Sequence, residues 1–566
     1  MAAPNTGAIR FLLSSPQASR MPKQCPLWIA NAQNLGAKVR GDMQTDLTGL
    51  LSDAAGFLAS HDYRQAHSAC MLVLEADPKN AQAFYLLGVL AADHENHRKA
   101  CELFDRAITL APSQARYLAE RARSRVALFD REGALDDARA AAALGNLSAR
   151  TLDTIGVVHS RLGLHSEAAP FFRQATDIEP GNPSFLYNLG AAQQFVGDFT
   201  SAESAFRKAI AIEPGNVRAW SSLVLMQKQT PGQHDIVALE ALFPSLTDAD
   251  DRLHIGHALA KAYEDLGDPS QTMAWLEKAK AMKRQGTTHE PDELDRVFAA
   301  AAATASATTA GSGHADRSPI FIVGMPRTGT TLLDRILSSH SDVASAGELS
   351  DFALELKRAA GTSSRHVLDA ETLNASLTVD LAAVGERYVT RARRVVGDAP
   401  RFVDKMPLNF FYAALILKAL PDARVICLRR NPADTVLSNY RQLFATSFSY
   451  YQYAYDLSWT ADYYARFDAL IASFRQHLQA DRFTEVWYEE LVSNFDHEAR
   501  RMVAFCGLDW QDQCLAFHEN AAPVATASAS QVRRPLYASS MHRWRRYRDS
   551  IAPALRTLTD RGIAFE

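Results

Sequence analysis

The chain has 566 residues, with 60 Lys+Arg against 64 Asp+Glu, a net charge of −4, 47% hydrophobic residues and six cysteines. At roughly 100–200 residues per domain this length calls for several domains with ample core, which excludes a disulfide-stapled miniprotein and a simple disordered tail. The near-neutral balance excludes a chain built as a whole to coat nucleic acid or anionic membrane.

Residues 1–42 carry Arg10, Arg20, Lys23, Lys38 and Arg40 around a short apolar patch, Phe11-Leu12-Leu13, too short for a signal-peptide core. They are expected to form a disordered leader, with Met43 as an alternative start. No run of 18 apolar residues occurs, so no membrane span is expected. Cys25, Cys70, Cys101, Cys427, Cys506 and Cys514 show no C-x2-C spacing and read as buried thiols of a reducing, cytoplasmic compartment.

From 43 to 284 the chain repeats. Ala66, Ala100, Ala134, Ala168 and Ala202 recur every 34 residues, as do Pro78, Pro112, Pro180 and Pro214, with Asn146 in the one gap. Gly88, Gly156 and Gly190 share a column with Ala54 and Ala122; Val73, Ala107, Ala141, Ala175 and Ala209 form another. Thirty-four residues is the tetratricopeptide period. The small-residue columns let two antiparallel helices approach closely. Phe104, Phe172 and Phe206 are expected between neighbouring helix pairs, and each proline falls where one helix has ended and the next begins. Five units, Leu47 to Pro214, fit this pattern; a sixth starts at Val217 and degenerates, and Leu253–Arg284 reads as a further unit with a polar last turn suited to an end cap. Such an array is either a peptide-binding or homodimerising scaffold or a spacer. His61, His94, His97 and His159 are not spaced as ligands, and no metal is expected.

Residues 285–318, with an Ala/Thr run at Ala300–Thr309, read as a linker or a frayed helix. Between 319 and 566 the pattern changes: Ile320–Val323, Val343–Ala346, Phe402–Val403, Arg424–Leu428 and Phe483–Trp487 are β-rich and separated by segments of helical length. This predicts an α/β domain with a parallel sheet, helices on both faces and ligands at the carboxyl ends of the strands.

The strand Ile320–Val323 runs into Gly324-Met-Pro-Arg-Thr-Gly-Thr-Thr331 and then a helix, an arrangement that cradles an anion with backbone N–H groups. The spacing is that of a P-loop, but Thr330 replaces the lysine of nucleotide triphosphatases, and Arg327 supplies positive charge instead. A second strand ends in Arg429-Arg430, turns at Asn431-Pro432, and is followed by a helix carrying Ser438; an arginine and a serine so placed can converge on one phosphate. Together these motifs resemble sulfotransferases that use 3′-phosphoadenosine-5′-phosphosulfate (PAPS). The resemblance implies that the loop residues Arg327, Thr328, Gly329, Thr330 and Thr331 hold the 5′-phosphosulfate and that Arg430 with Ser438 holds the 3′-phosphate.

Further residues, within about Pro319–Thr559, are similar to the protein-tyrosine sulfotransferase branch and to its bacterial relatives with tetratricopeptide repeats. By that resemblance Glu348 is the catalytic glutamate, Lys405 the lysine after the third strand, and Tyr488 a cofactor-contacting tyrosine. Ser528 would stand near the transferred sulfuryl group, Arg534 on the 3′-phosphate, and Gln531 and Trp544 in the last motif. The chain departs from the animal enzymes in lacking a membrane anchor and an evident disulfide pair, and in carrying repeats. The expected activity is sulfuryl transfer from PAPS to a hydroxyl, with a protein or peptide tyrosine as leading acceptor, Glu348 as base, and the repeats recruiting the acceptor or a protein partner. Carbohydrate or metabolite O-sulfation, and a repeat scaffold with a vestigial nucleotide site, are the alternatives.

Each residue also has a plainer reading: Glu348 as a helix-opening carboxylate, Lys405 as a solvated lysine, Ser438 as a surface serine, His340 as a helix-end cap rather than a base. The arginines of Arg533–Arg548 lie among Tyr537, Trp544 and Tyr547 and read as a rim for cofactor and acidic acceptor, in preference to a nucleic-acid stripe.

Overall fold

The computed structural model describes residues 46–566 apart from 129, 309–310, 365, 447, 521–531, 533–534 and 537–539. The expected leader 1–42 lies outside the described residues. Two compact units result, 46–212 and 213–566.

The first unit is five antiparallel helix hairpins, from Leu47–Ala59 with Tyr63–Ala76 to Pro183–Val196 with Phe199–Ile212. Its period shows directly in the packing. A Cβ placed on Gly88 would stand 2.5 Å from the Phe104 ring, one on Gly156 2.6 Å from Phe172, and one on Gly190 2.8 Å from Phe206. Each phenylalanine therefore packs into the seam inside its own hairpin, and Phe172 also clusters with Leu189 and Ala192 of the next hairpin, in the space between neighbouring pairs where it was expected. Where the column holds Ala54 or Ala122, the residue sixteen positions on is Cys70 or Ala138, so side-chain volume is exchanged across the seam. Asn80, Ser148 and Asn182 start their helices by accepting N–H groups of the first turn, as Asn216 does for the first helix of the second unit.

The second unit joins the remaining helices to an α/β domain. Helix Val217–Met226 is followed by a short helix, Ile236–Leu242, and by a hairpin of Ala249–Asp265 and Pro269–Gln285. The second helix of that hairpin, expected to end in a polar cap, is engaged over its second half. Arg284 pairs with Asp456, Tyr440 donates to Glu277 over 3.0 Å, and the buried Lys280 donates its Nζ to the Ala454 carbonyl over 2.8 Å.

The stretch expected as a linker holds helix Pro291–Ser306, whose Val297, Phe298, Ala301 and Ala305 join the core of the α/β domain. Its Ala/Thr composition allows this because the small side chains pack closely and the buried Thr304 hydroxyl is satisfied by the Ala301 carbonyl at 2.6 Å. Phe298 packs against Phe411 and Tyr463 with ring centroids 4.8 and 5.2 Å apart.

All five expected strands form: β1 (Pro319–Gly324), β2 (Val343–Gly347), β3 (Arg401–Asp404), β4 (Arg424–Arg429) and β5 (Phe483–Trp487). They pair in parallel in the order β2-β3-β1-β4-β5. Alternate residues feed two apolar layers, with Phe321, Val323, Phe402 and Val425 on one side and Ile320, Ile322, Val403 and Ile426 on the other. Among the described residues no helix is long and apolar enough to cross a membrane, and Cys70, Cys427, Cys506 and Cys514 are buried and unpaired.

Phe298→Ala is expected to lower unfolding free energy by about 3–5 kcal/mol, the usual cost of removing a core phenylalanine; a solvated linker would cost almost nothing, and urea denaturation distinguishes the two. Lys280 gives a pH signature. Burial pulls its ammonium from 10.5 to about 7 in the fold, against the opposing charge of Glu277. Between those values the unfolded chain holds a proton that the folded chain has lost, so this group makes stability rise with pH across the window. Lys280→Met is expected to flatten that rise in denaturation curves measured from pH 7 to 10.

Candidate functional site

Every predicted site residue in the described part of the α/β domain lies at or just beyond the carboxyl end of a strand, or on the helix that follows it. The loop 324–331 leaves β1, Glu348 follows β2, Lys405 follows β3, Arg430 follows β4 with Ser438 on the next helix, and Tyr488 follows β5. Since the five strands are parallel, these residues share one edge of the sheet.

The loop is shaped by close approach. Gly324 has φ +143°, and a Cβ there would meet the Leu428 carbonyl at 2.4 Å; Gly329 has φ +105°, and a Cβ would meet the Tyr488 ring at 2.6 Å. Arg327 itself takes a positive φ of 68°. The Thr328 hydroxyl closes the loop onto the Met325 carbonyl at 2.8 Å, and Asn439 holds the Pro326 carbonyl at 2.8 Å. Helix Thr330–Ser338 begins at Gly329, which offers no capping side chain, so the positive end of the helix faces the loop.

A cavity of about 320 Å³ is lined by Arg327, Gly329, Thr331, Arg430, Ser438 and Tyr488, among others. Arg430 is 8% exposed. It donates to the Arg327 carbonyl at 3.2 Å and to the Ser540 carbonyl, and lies 4.9 Å above the Tyr488 ring. Its Nε is buried without a partner among the described residues. Tyr488 is fixed by a 2.6 Å hydrogen bond with Ser540. Thr328 and Thr330 are buried in the loop and the first turn. Ser528, Gln531 and Arg534 lie outside the described residues.

Glu348 and Lys405 do not line this cavity; they form an ion pair of their own at the ends of β2 and β3. Lys405 is 1% exposed, and its N–H binds the Gly347 carbonyl at 2.7 Å. Beneath the pair, the buried Asp404 accepts from the Leu349 N–H at 3.2 Å and the Tyr388 hydroxyl at 2.9 Å, which ties the backbone beside Glu348 to β3. Burial drives the Asp404 carboxyl well above the ordinary range, with those two donors pulling it back. Asp334, one turn into the helix after the loop, is also raised by burial and lowered by the Lys405 charge and the Ser345 hydroxyl.

His340 is not placed as a base. Its Nε2 donates to the Asp509 carbonyl at 2.8 Å and its Nδ1 accepts from the Asp342 N–H at 3.1 Å. Trp544 is fully buried, with its backbone N–H on Asp434.

The glycine-bearing loop, Arg430 and Ser438 all lie within the segment that matches a known family. Residues 319–512 match the sulfotransferase family. Tetratricopeptide repeats match at 54–115, 149–182 and 183–216. An uncharacterized protein of Aquifex aeolicus (strain VF5) is 31% identical over 404 residues, covering 70% of this chain and 52% of that protein. The protein-tyrosine sulfotransferase of Drosophila melanogaster is 26% identical over 238 residues, 40% of this chain and 46% of its own. The chain thus spans about half the length of these two relatives. Among solved structures, a sulfotransferase domain from the curacin biosynthetic pathway is 16% identical, covering 44% of this chain and 100% of that one at a TM-score of 0.30. MamA is 24% identical, covering 28% and 94% at a TM-score of 0.24.

Sequence reasoning missed part of the wall of this cavity. Glu264, Arg441, Gln442 and Ser540 line it as well, together with Arg543, which belongs to the arginine run expected to form a rim. A signal for Glu264 was present: acidic residues in the last turn of a helix oppose its dipole, and Glu264-Asp265 close Ala249–Asp265.

Gly329→Ala puts a methyl group into the Tyr488 ring at a backbone angle that L-residues rarely adopt. Strain of about 1–3 kcal/mol is expected at such a position. Urea denaturation should show the folded state destabilised by that amount, with far-UV circular dichroism unchanged.

Proposed function

We propose that the chain transfers a sulfuryl group from PAPS to a hydroxyl acceptor, a polypeptide tyrosine being the leading candidate. The observation that carries this reading is the convergence on one sheet edge of an anion cradle, a buried arginine with an orphaned Nε, and a carboxylate–lysine pair. The cavity fits a polyanion: Arg327, Arg430, Arg441 and Arg543 line it, and Gly329 lets backbone approach closely where a side chain would fill the space.

PAPS supplies the activated sulfuryl group; the protein supplies position and charge. Arg327 and the residues Thr328–Thr331 would hold the 5′ end, and Arg430, Ser438 and Arg534 the 3′-phosphate, with Tyr488 packed beside the cradle. A phenol has an ordinary pKa near 10, so the attacking oxygen must lose its proton as the new S–O bond forms. Glu348 would take that proton. Lys405, held against it, together with Arg327 and Ser528, would stabilise negative charge on the sulfuryl and leaving oxygens as the old S–O bond breaks. The protein-tyrosine sulfotransferases among the relatives support tyrosine as acceptor, and the repeats would bring a polypeptide to the site.

Incubation with ³⁵S-labelled PAPS and cell extract tests this: label on polypeptide tyrosine supports it, label on a glycan or small molecule moves the acceptor class, and no label rejects the activity. Glu348→Gln is expected to retain bisphosphate binding while turnover falls by about 10²–10⁴, the usual loss for a general base. Near-normal turnover would remove Glu348 from that role.

A further inference from the structure

The cavity contains a carboxylate that does not belong to the α/β domain. Glu264 is in the last turn of helix Ala249–Asp265, in the hairpin that precedes that domain, yet it lines the cavity alongside Arg430 and Ser438. A carboxylate in the wall of a polyanion site is unfavourable by itself, because like charges repel. Its surroundings account for it. One oxygen binds the Arg441 guanidinium; the other binds Arg543 and accepts from the Tyr547 hydroxyl at 3.0 Å. Both arginines also line the cavity. Arg441 is three residues beyond Ser438, is largely buried, and lies 5.6 Å above the Tyr547 ring. Burial lowers its pKa, and the Glu264 charge acts in the opposite direction.

The triad keeps a net positive charge while fixing two long side chains that would otherwise be free to rotate. An arginine held in place in advance loses less freedom when it binds an oxyanion. We propose that Glu264 is a positioning residue of the donor site: it holds Arg441 and Arg543 beside Arg430 and Ser438, so that recognition of the 3′-phosphate depends on the hairpin Ala249–Gln285. This rests on the assignment of Arg430 and Ser438 to the 3′-phosphate made above.

The test compares adenosine 3′,5′-bisphosphate with adenosine 5′-monophosphate by calorimetry on the full chain. The unmodified protein should prefer the bisphosphate. Glu264→Gln should cut that preference about tenfold while monophosphate affinity stays within about twofold, and Glu264→Asp should restore part of it. A carboxylate that only stabilised the fold would change the melting temperature and leave the ratio alone. If Glu264→Gln does not fold, Arg441→Lys, which alters the same contact from the other side, should show the same loss. A preference unchanged in a folded variant overturns the inference and leaves the donor reading standing; a preference increased shows that the carboxylate only repels the ligand, which also overturns it. No preference in the unmodified protein removes both.

Discussion

The parallel ladder is the constraint from which the site follows. Five strands running the same way end along one edge, so the residue after each last hydrogen-bonded position points into common space without further design. That is why a loop, a glutamate, a lysine, an arginine and a tyrosine separated by up to 164 positions, from Gly324 to Tyr488, are neighbours. The same ladder fixes direction. Arg429 and Arg430 are adjacent, but alternation turns Arg429 away to pair with Glu485 at 2.9 Å and with Asp468, while Arg430 faces the cavity. One arginine is spent on holding β4 to β5, and the other is left for a ligand.

Burying so much charge requires that it be bound. Lys405 is held by Glu348, Arg441 by Glu264, and Asp404 by two donors. Removing one partner from such a set leaves an uncompensated charge, which costs far more than the pair contributes. The buried Nε of Arg430, without a partner among the described residues, belongs to a side chain that lines the cavity.

Much of this was legible in the sequence because the physics is local or periodic. The 34-residue columns report helix contacts that recur from unit to unit, and the apolar runs report strands, the inner three of them buried on both faces. The arginine–serine spacing reports a strand end and nearly two helical turns. What escaped was non-local. Helix Pro291–Ser306 looked like a linker because its alanines and threonines have little hydrophobic signal of their own; its burial depends on Phe410, Phe411 and Tyr463, which lie more than 100 residues away. The phenylalanine columns, expected between neighbouring pairs, also fill the seam inside each hairpin, which the period does not reveal because it gives spacing and not direction. Glu264 escaped because its partners, Arg441 and Arg543, are 177 and 279 positions away.

The near-neutral total charge hides a sorted distribution. Along the repeat unit, acidic and basic residues pair across the surface and within the array, as Arg121 does with Asp105 and Asp137 at 2.6 Å each. Around the cavity, four arginines face a single carboxylate, and that carboxylate comes from a helix outside the α/β domain. A domain that borrowed nothing would have to fix the same arginines with its own acids, placing more negative charge beside an anionic ligand. Taking one carboxylate from the preceding hairpin, shared by two guanidiniums, holds both at the cost of one negative charge. The hairpin is also tied elsewhere to the α/β domain, through Lys280 on the Ala454 carbonyl and Glu277 on Tyr440. Its rigidity, and with it the placement of Arg441 and Arg543, therefore rests on contacts spread over the segment 440–456.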